Sequence, residues 1–487
     1  MTASPSRGAV AAGHPATAEC AAAVLREGGN AVDAGLAAAW MACVAEPVLA
    51  SPGGGGFAML RAADGAVALH DFFAETPLEK TDRDIDYREV LADFGTATQA
   101  FHIGRGTSAT PGFVEGLYAV HAQAGSAPMA ELIAPAAKAA REGLVLTRFQ
   151  RFLATVIAPI LLASEDSRRV FAPEGDFPAV GHRVTNPGLA GFLDELAANG
   201  LESYRAGGIR AAFEAEFAKG GHLTHGNLDA YRVEERAPLS LAFEGARVHL
   251  NPPPSAAGTL VACAFAALDD VDRVAAARAL DAVDRARREA GSDLSRLLAR
   301  FGRPAYRGTT HISVVDAEGR ACGMTLSNGE GNGEIVGEFG FMLNNMLGEE
   351  DLNPGGALAW TEGVRLSSMM CPSVAEAPDG RIFVLGSGGS NRIRSTIFQV
   401  LLQLLARGAE VEEAVNAPRL HVEAGQLDFE AFTEVVEEGA LRQAFPQHRA
   451  WPEPNLFFGG CHVAGVTPAG TFFGAGDHRR AGVFQAV

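Results

Sequence analysis

Cysteine is scarce in this chain, and its placement excludes the chemistry that cysteines usually carry. The six cysteines among 487 residues stand at positions 20, 43, 263, 322, 371 and 461, and no two form a CxxC. Such spacing argues against a zinc ribbon and against a disulfide framework, and fits reduced, mostly buried thiols. Basic residues are also short: 40 Lys and Arg stand against 58 Asp and Glu, a formal net charge of -18. That balance repels a nucleic-acid backbone. No basic stripe reverses it locally, since the run Arg285, Arg287 and Arg288 reads as a solvated face of a mixed-charge helix. Long apolar runs are missing. The longest, Ala34 to Ala45, has about 12 residues where a membrane span needs about 20, so no membrane association is expected. The first twenty residues hold one Arg and no apolar stretch of leader type, which makes the cytoplasm the expected compartment.

Several catalytic and binding signatures are absent too. Four glycine clusters, at 53–56, 329–333, 355–356 and 386–389, lack the Lys-Ser or Lys-Thr of a phosphate loop and give no clean GxGxxG. No GxSxG elbow anchors a serine-hydrolase triad. His222 and His225 are spaced HxxH without a carboxylate-rich helix, so they read as surface or capping residues, not metal ligands. No cofactor and no metal is implied.

What remains is a globular composition, 47% hydrophobic and 20% charged, in a chain long enough for two or three average domains or one large α/β unit. Residues 15–62 read as two helices, the first ending at Gly28-Gly29 and the second capped by Asn30, then a glycine-rich passage into a short strand at 57–60 with 67–69 as a partner. Residues 114–145 and 187–219 read as helical, as does 260–300. At about residue 309 the pattern changes to a hairpin, 311–315 and 321–326, turned by Asp316-Ala-Glu-Gly319. A strand at 381–385, a helix from about 393 to 406 and a last hairpin around 467–470 follow. Gly386-Ser-Gly-Gly-Ser390 lies between that strand and that helix, where backbone N–H groups and the helix dipole can both face developing negative charge. Gly308-Thr309-Thr310-His311 opens the first hairpin; taken alone, Thr309 is a β-branched residue starting a strand.

The company it keeps changes that reading. Leu25 to Asp33, Gly53 to Phe57, Pro111 to Gly116, Pro252 to Ser255, Thr309 to Asp316, Leu343-Asn-Asn345, Leu366 to Met369 and Gly386 to Arg392 occur in this order. From Ala11 almost to the end, the chain thereby resembles the gamma-glutamyltranspeptidase family of N-terminal-nucleophile hydrolases. The resemblance implies an α+β fold, a four-layer αββα sandwich, built by two segments, 1–308 and 309–487, that separate covalently and stay associated. It implies that Thr309 is the nucleophile and that the Gly308–Thr309 peptide is the self-cleavage point. The freed amine of Thr309, with an ordinary pKa of roughly 7.7–8.0, can then act as base for its own hydroxyl. By position, Ser327 matches a hydroxyl residue that hydrogen-bonds the nucleophile, Asn328 an amide that contacts a substrate amino group, and Ser367 and Ser368 a pair that holds a carboxylate. Gly388 and Gly389 match the oxyanion loop, with Gly389 and Ser390 equally compatible.

Departures from the family pattern bear on the substrate. Phe73 stands where the family places an arginine that grips the glutamyl carboxylate, a charge-assisted contact that other side chains replace poorly. Met346 and Glu349 stand where the family commonly has Gln and Asp, and Glu349 retains the ability to accept from an ammonium. Arg105 is a candidate substitute cation. The expected function is therefore an autoprocessed amidohydrolase or acyltransferase acting on a small amide, glutathione-like or otherwise acylated. The alternative from another class is an uncut, non-catalytic binding protein.

Overall fold

The computed structural model describes residues 6–81, 85–93, 98–289, 308–349, 358–432 and 435–487. The glycine pair at 355–356 and the end of the helical stretch expected over 260–300 lie outside them.

Two antiparallel sheets carry the fold. The first has seven strands in the order Val483–Ala486, Gly8–Ala12, Thr309–Asp316, Ala321–Ser327, Gly55–Arg61, Val67–Phe72 and Glu234–Arg236. The second has six, in the order Phe472–Ala475, Gly460–Val466, Ile382–Gly388, Ser373–Glu376, Ala246–Leu250 and Leu239–Phe243. The strand Thr309–Asp316 packs on both Ile382–Gly388 and Gly460–Val466, so the sheets lie face to face. Helices cover the two outer faces: Pro15–Arg26 and Ala31–Ala45 on the first sheet, Ala257–Ala266 and Arg392–Leu405 on the second. The result is an α+β chain of αββα layers.

Strand alternation explains why the first sheet can be buried on both faces. Val10 and Ala12 join the core under the first helix layer together with Ile312, Val314, Met324 and Leu326. Their neighbours Ala9, Ala11, Val315, Phe57 and Met59 join the core shared with the second sheet. Helix Ala31–Ala45 is buried almost all round because its residues are mostly small, and Gly35 lets it approach Cys322, whose Sγ a Cβ at 35 would meet at 2.6 Å. Asn30 caps it in a capping box with Asp33, and Gly28 takes the left-handed backbone (φ +95°) that ends the preceding helix.

The chain order is interleaved. Gly8–Ala12 pairs with Val483–Ala486 on one side and Thr309–Asp316 on the other, and Ala246–Leu250 pairs with Ser373–Glu376. Each sheet thus mixes strands from before and after Thr309.

One expectation is corrected in helix Arg273–Glu289. Arg285 and Arg288 are exposed, but Arg287 is 3% exposed and bonds Asp284 at 2.7 Å. Asp284 also pairs with Arg394 and accepts from Ala424 N. The helix packs on Leu420–Glu423, so one arginine of the run points inward to a buried carboxylate. Among the described residues no helix is long and apolar enough to cross a membrane.

Candidate active site

Thr309 begins its strand at one end of the sandwich, where four neighbouring strands of the first sheet line up. Thr309 stands opposite Ser327, Ser327 opposite Gly55, and Gly56 opposite Phe72. The second sheet reaches the same end with Gly388 opposite Gly460. Gly386 and Gly388 allow the sheets to close: a Cβ at 386 would overlap the His311 ring, and one at 388 would overlap the Thr309 carbonyl oxygen.

The Gly308–Thr309 peptide is buried and held from several sides. Ser327 Oγ donates to Gly308 O at 2.7 Å, and itself accepts from Gly329 N at 3.1 Å. Gly308 N donates to Glu330 Oε1 at 3.2 Å. A Cβ on residue 308 would overlap Gly329 O and lie 2.6 Å from Val48 O, so only glycine fits between those two carbonyls. In the uncut chain, then, the Ser327 hydroxyl polarises the carbonyl that a Thr309 hydroxyl would attack. That is a different partner from the nucleophile hydroxyl to which the family resemblance assigns Ser327.

Strand alternation sends Thr310 the other way. Thr310 Oγ1 donates to Glu46 Oε2 at 2.7 Å, and Thr17 Oγ1 donates to Glu46 Oε1 at 2.8 Å. Burial raises the Glu46 carboxyl above its ordinary pKa, while the two hydroxyl donors and Arg480 pull it down. Arg480 Nη1 donates to Thr309 O at 3.3 Å and lies 3.1 Å from where a Gly388 Cβ would be. Its guanidinium, lowered to about 10 by burial and by Arg392, stays cationic at neutral pH beside the glycine loop. There it favours negative charge developing near Thr309. Gly389 (φ +127°) and Ser390 (φ +54°) turn the chain into the helix Arg392–Leu405.

Asp477 fixes the loop that carries Arg480. It accepts from Cys461 N at 2.9 Å and Arg479 N at 3.0 Å, and pairs with Arg419 and Arg479. Burial alone would raise its carboxyl, but Arg419, Arg479 and those N–H donors hold it down to about 2. His462 and His14, close by, are both lowered to about 4, chiefly by burial. These shifts set an acid limit on the fold. Between about pH 6.5 and 4 the unfolded chain protonates these histidines and the folded one does not; between about 3.8 and 2 the same holds for Asp477. Unfolding is therefore favoured progressively as pH falls. We expect the melting temperature to drop steadily from pH 7 to pH 5 in a calorimetric series; a flat profile over that window would contradict the buried, neutral histidines.

Of the residues singled out in the sequence, Glu349 joins this end of the sheet: its Oε1 lies 2.5 Å from a Cβ built on Gly329. Asn345 braces the same turn, accepting from Glu330 N at 2.9 Å. Asn328 is 2% exposed, and its Oδ1 has no hydrogen-bond partner among the described residues. Ser367 Oγ donates to Pro254 O at 2.8 Å, and Ser368 Oγ accepts from Met370 N at 3.0 Å. Phe73 is buried and stacked on Phe57, with ring centroids 5.5 Å apart, and Met346 is fully buried. Arg105 does not serve as a free cation: it is bound to Glu216 at 2.7 Å and Glu334 at 3.1 Å. Arg365, next to the serine pair, is likewise held by Glu75 at 2.9 Å, by Asp71 and by the Phe73 carbonyl. His222 accepts from Thr81 N and stacks edge-on to Trp360, whereas His225 is exposed at a helix start. Glu46, Glu330 and Arg480 had no signal in the sequence, because each reaches Thr309 or its neighbours from a distant segment.

An αββα sandwich whose central strand opens on a buried threonine is the architecture of the N-terminal-nucleophile hydrolases. The family model for gamma-glutamyltranspeptidase matches residues 17–284 and 271–487. The chain belongs to the gamma-glutamyltranspeptidase family, and is an amidohydrolase of that class. It is 30% identical to the glutathione hydrolase proenzyme of Escherichia coli over 82% of its own length and 78% of that protein's. It is 29% identical to the acylase ACY 1 proenzyme of Pseudomonas sp. (strain V22), over 99% and 94% of the two chains. In fold it is similar to the crystal structure of cephalosporin acylase from Bacillus halodurans, with a TM-score of 0.83, 23% identity and coverage of 99% and 96%.

Proposed function

We propose that this family member is made as one polypeptide, cuts itself between Gly308 and Thr309, and then hydrolyses or transfers small amides through an ester on Thr309. The observation that carries the reading is the Gly308–Thr309 peptide itself. It is buried and side-chain-free on its acyl side, with its carbonyl hydrogen-bonded by Ser327 at 2.7 Å. In self-cleavage the Thr309 hydroxyl attacks the Gly308 carbonyl, the C–N bond breaks, and water resolves the ester. The new Thr309 amine accepts the hydroxyl proton when a substrate carbonyl is attacked and delivers it to the leaving nitrogen. The oxyanion faces the Gly388–Gly389 turn, with Arg480 behind it. Asn328, Glu349, Ser367 and Ser368 are the groups we assign to substrate polar contacts. Because each sheet mixes strands from both segments, a cut ahead of Thr309 leaves residues 1–308 and 309–487 associated.

Names of the relatives support two acyl groups, the glutamyl of glutathione and that of an acylase substrate. The loss of the arginine at Phe73, together with the commitment of Arg105 and Arg365 to carboxylates of the protein, favours the acylase reading. Intact mass of the purified protein and turnover of a chromogenic γ-glutamyl anilide test the proposal together. Fragments 1–308 and 309–487 are expected, with weak release from the γ-glutamyl anilide. A chain still uncut after long incubation at neutral pH would overturn the proposal in favour of a non-catalytic binding protein.

A further inference from the structure

Gly308 has no side chain by which the fold could hold it, so the acyl side of the Gly308–Thr309 peptide is held through its backbone. Its carbonyl accepts from Ser327 Oγ at 2.7 Å, and its N–H donates to Glu330 Oε1 at 3.2 Å. Both partners belong to the end of strand Ala321–Ser327 and the turn that follows it. The turn is tight: Gly329 takes φ +63° and Gly331 φ +97°, and Gly331 N donates to Asn328 O at 3.2 Å. Glu330 itself is 3% exposed. Asn345 braces it from the far side. Asn345 Oδ1 accepts from Glu330 N at 2.9 Å, and its Nδ2 donates to His102 O at 3.2 Å and to Glu330 Oε2 at 3.4 Å. The Glu330 N–H and the His102 carbonyl thereby fix which end of the Asn345 amide faces the carboxylate. Each Glu330 oxygen thus receives an N–H that cannot turn round, one from the backbone and one from a fixed amide. Only a carboxylate accepts at both ends; a glutamine would set its NH₂ against one of the two donors.

We infer that Glu330 is a positioning residue for self-cleavage, holding the Gly308 N–H so that the Gly308 carbonyl stays on Ser327 and within reach of the Thr309 hydroxyl. The inference rests on the reading of Thr309 as nucleophile. Glycine is the residue whose backbone turns most easily, and bonds on both sides of its Cα, to N–H and to C=O, remove that freedom. A charged acceptor suits the task, since it binds an N–H about twice as strongly as a neutral one. In the cut, the bond from Thr309 Oγ to the Gly308 carbonyl carbon forms as the C–N bond breaks, and the Oγ proton passes to the Thr309 nitrogen. Water then splits the ester into a Gly308 carboxylate and the Thr309 hydroxyl. Glu330 exchanges no proton in these steps. It acts through Gly308, by keeping the carbonyl carbon where the hydroxyl can attack it.

The test follows the full chain by intact mass after cell-free synthesis, as wild type, as Glu330→Gln and as Glu330→Gln with Asn345→Asp. Glu330→Gln is expected to cut at least about tenfold more slowly than wild type. In the double variant the glutamine NH₂ meets a carboxylate at 345 and its oxygen accepts from Gly308, so cutting is expected to be at least about threefold faster than in Glu330→Gln. Full recovery is not expected, because His102 O loses its donor. Melting in a Thr309→Ala background reports that both variants fold. In the material that is eventually cut, kcat on an acyl nitroanilide is expected to fall by a smaller factor than the cutting rate, because Gly308 is no longer the acyl group being held. Glu330→Gln that cuts at the wild-type rate, or a double variant no faster than the single one, overturns the role of Glu330 while leaving the nucleophile assignment intact. So do parallel losses in cutting, kcat and melting temperature, which mark a merely structural residue. A wild-type chain that stays uncut overturns both readings.

Discussion

Thr309→Ala is expected to leave the protein as one uncut polypeptide and to lower amide turnover by at least about 10⁴-fold, the scale seen when a hydrolase loses its nucleophile. Both effects come from one atom. In the proposed self-cleavage the Thr309 hydroxyl is the attacking group, and without that cleavage no free amine would exist to serve as base. Intact mass and nitroanilide turnover read the two losses separately. Thr310→Ala is the control that assigns the hydroxyl: Thr310 faces the opposite side of the strand and donates to Glu46. Its loss is expected to reduce stability by about 1–3 kcal/mol, as when a buried hydrogen-bond partner is removed, while cleavage continues. If Thr310→Ala blocked the cut and Thr309→Ala did not, the nucleophile would be the wrong threonine.

Gly388→Ala is expected to reduce kcat about 100-fold and to slow self-cleavage, although it adds only one methyl group. That methyl would overlap the Thr309 carbonyl oxygen and crowd Arg480 Nη1. Neither can yield easily. The Thr309 carbonyl belongs to a strand end paired with Ser327 and bound by Arg480, and Arg480 is buried in a loop fixed by Asp477. The sheets must therefore part at the end where Thr309, the proposed nucleophile, sits, and a displacement near 1 Å at a reacting group costs about two orders of magnitude in rate. Single-turnover measurement separates this from a binding defect: kcat is expected to fall with KM little altered. A variant with unchanged kcat would show that the sheets tolerate separation here.

Much of the fold could be read from the sequence because its signals are local. Gly28-Gly29 followed by Asn30 marks a helix stop and a helix cap, and the structure has helices at Pro15–Arg26 and Ala31–Ala45 on either side. The β-branched run after Thr309, the turn Asp316–Gly319 and the run to Leu326 make a hairpin, and Thr309–Asp316 pairs with Ala321–Ser327 in register. Arg287 was misread for the opposite reason. Its helical neighbours are charged, and the carboxylates that make an inward arginine favourable are Asp284 and, on a strand more than a hundred residues away, Glu423.

The site divides in the same way. Its residue types were visible along the chain: a glycine and a threonine opening a strand, a hydroxyl at the end of the partner strand, and a glycine-rich turn before a helix. Their surroundings were not. Ser327 reaches the Gly308 carbonyl because two strand ends are level, Arg480 reaches Thr309 across the two sheets, and Glu46 meets Thr310 from the end of a helix. Pairing between distant segments depends on which faces must be buried together, and a linear sequence carries no distance. By itself the sequence determined the secondary structure around the hairpin, the family to which the chain belongs, and the loss of a cation at Phe73. Tertiary structure alone decided that Arg105 and Arg365 are already held by carboxylates of the protein, and that a cavity lined by Val48 and Gln150 opens between the elements there. The reason is that a charge is available to a ligand only if no partner sits nearer, and a cavity exists only where several elements fail to fill the same space.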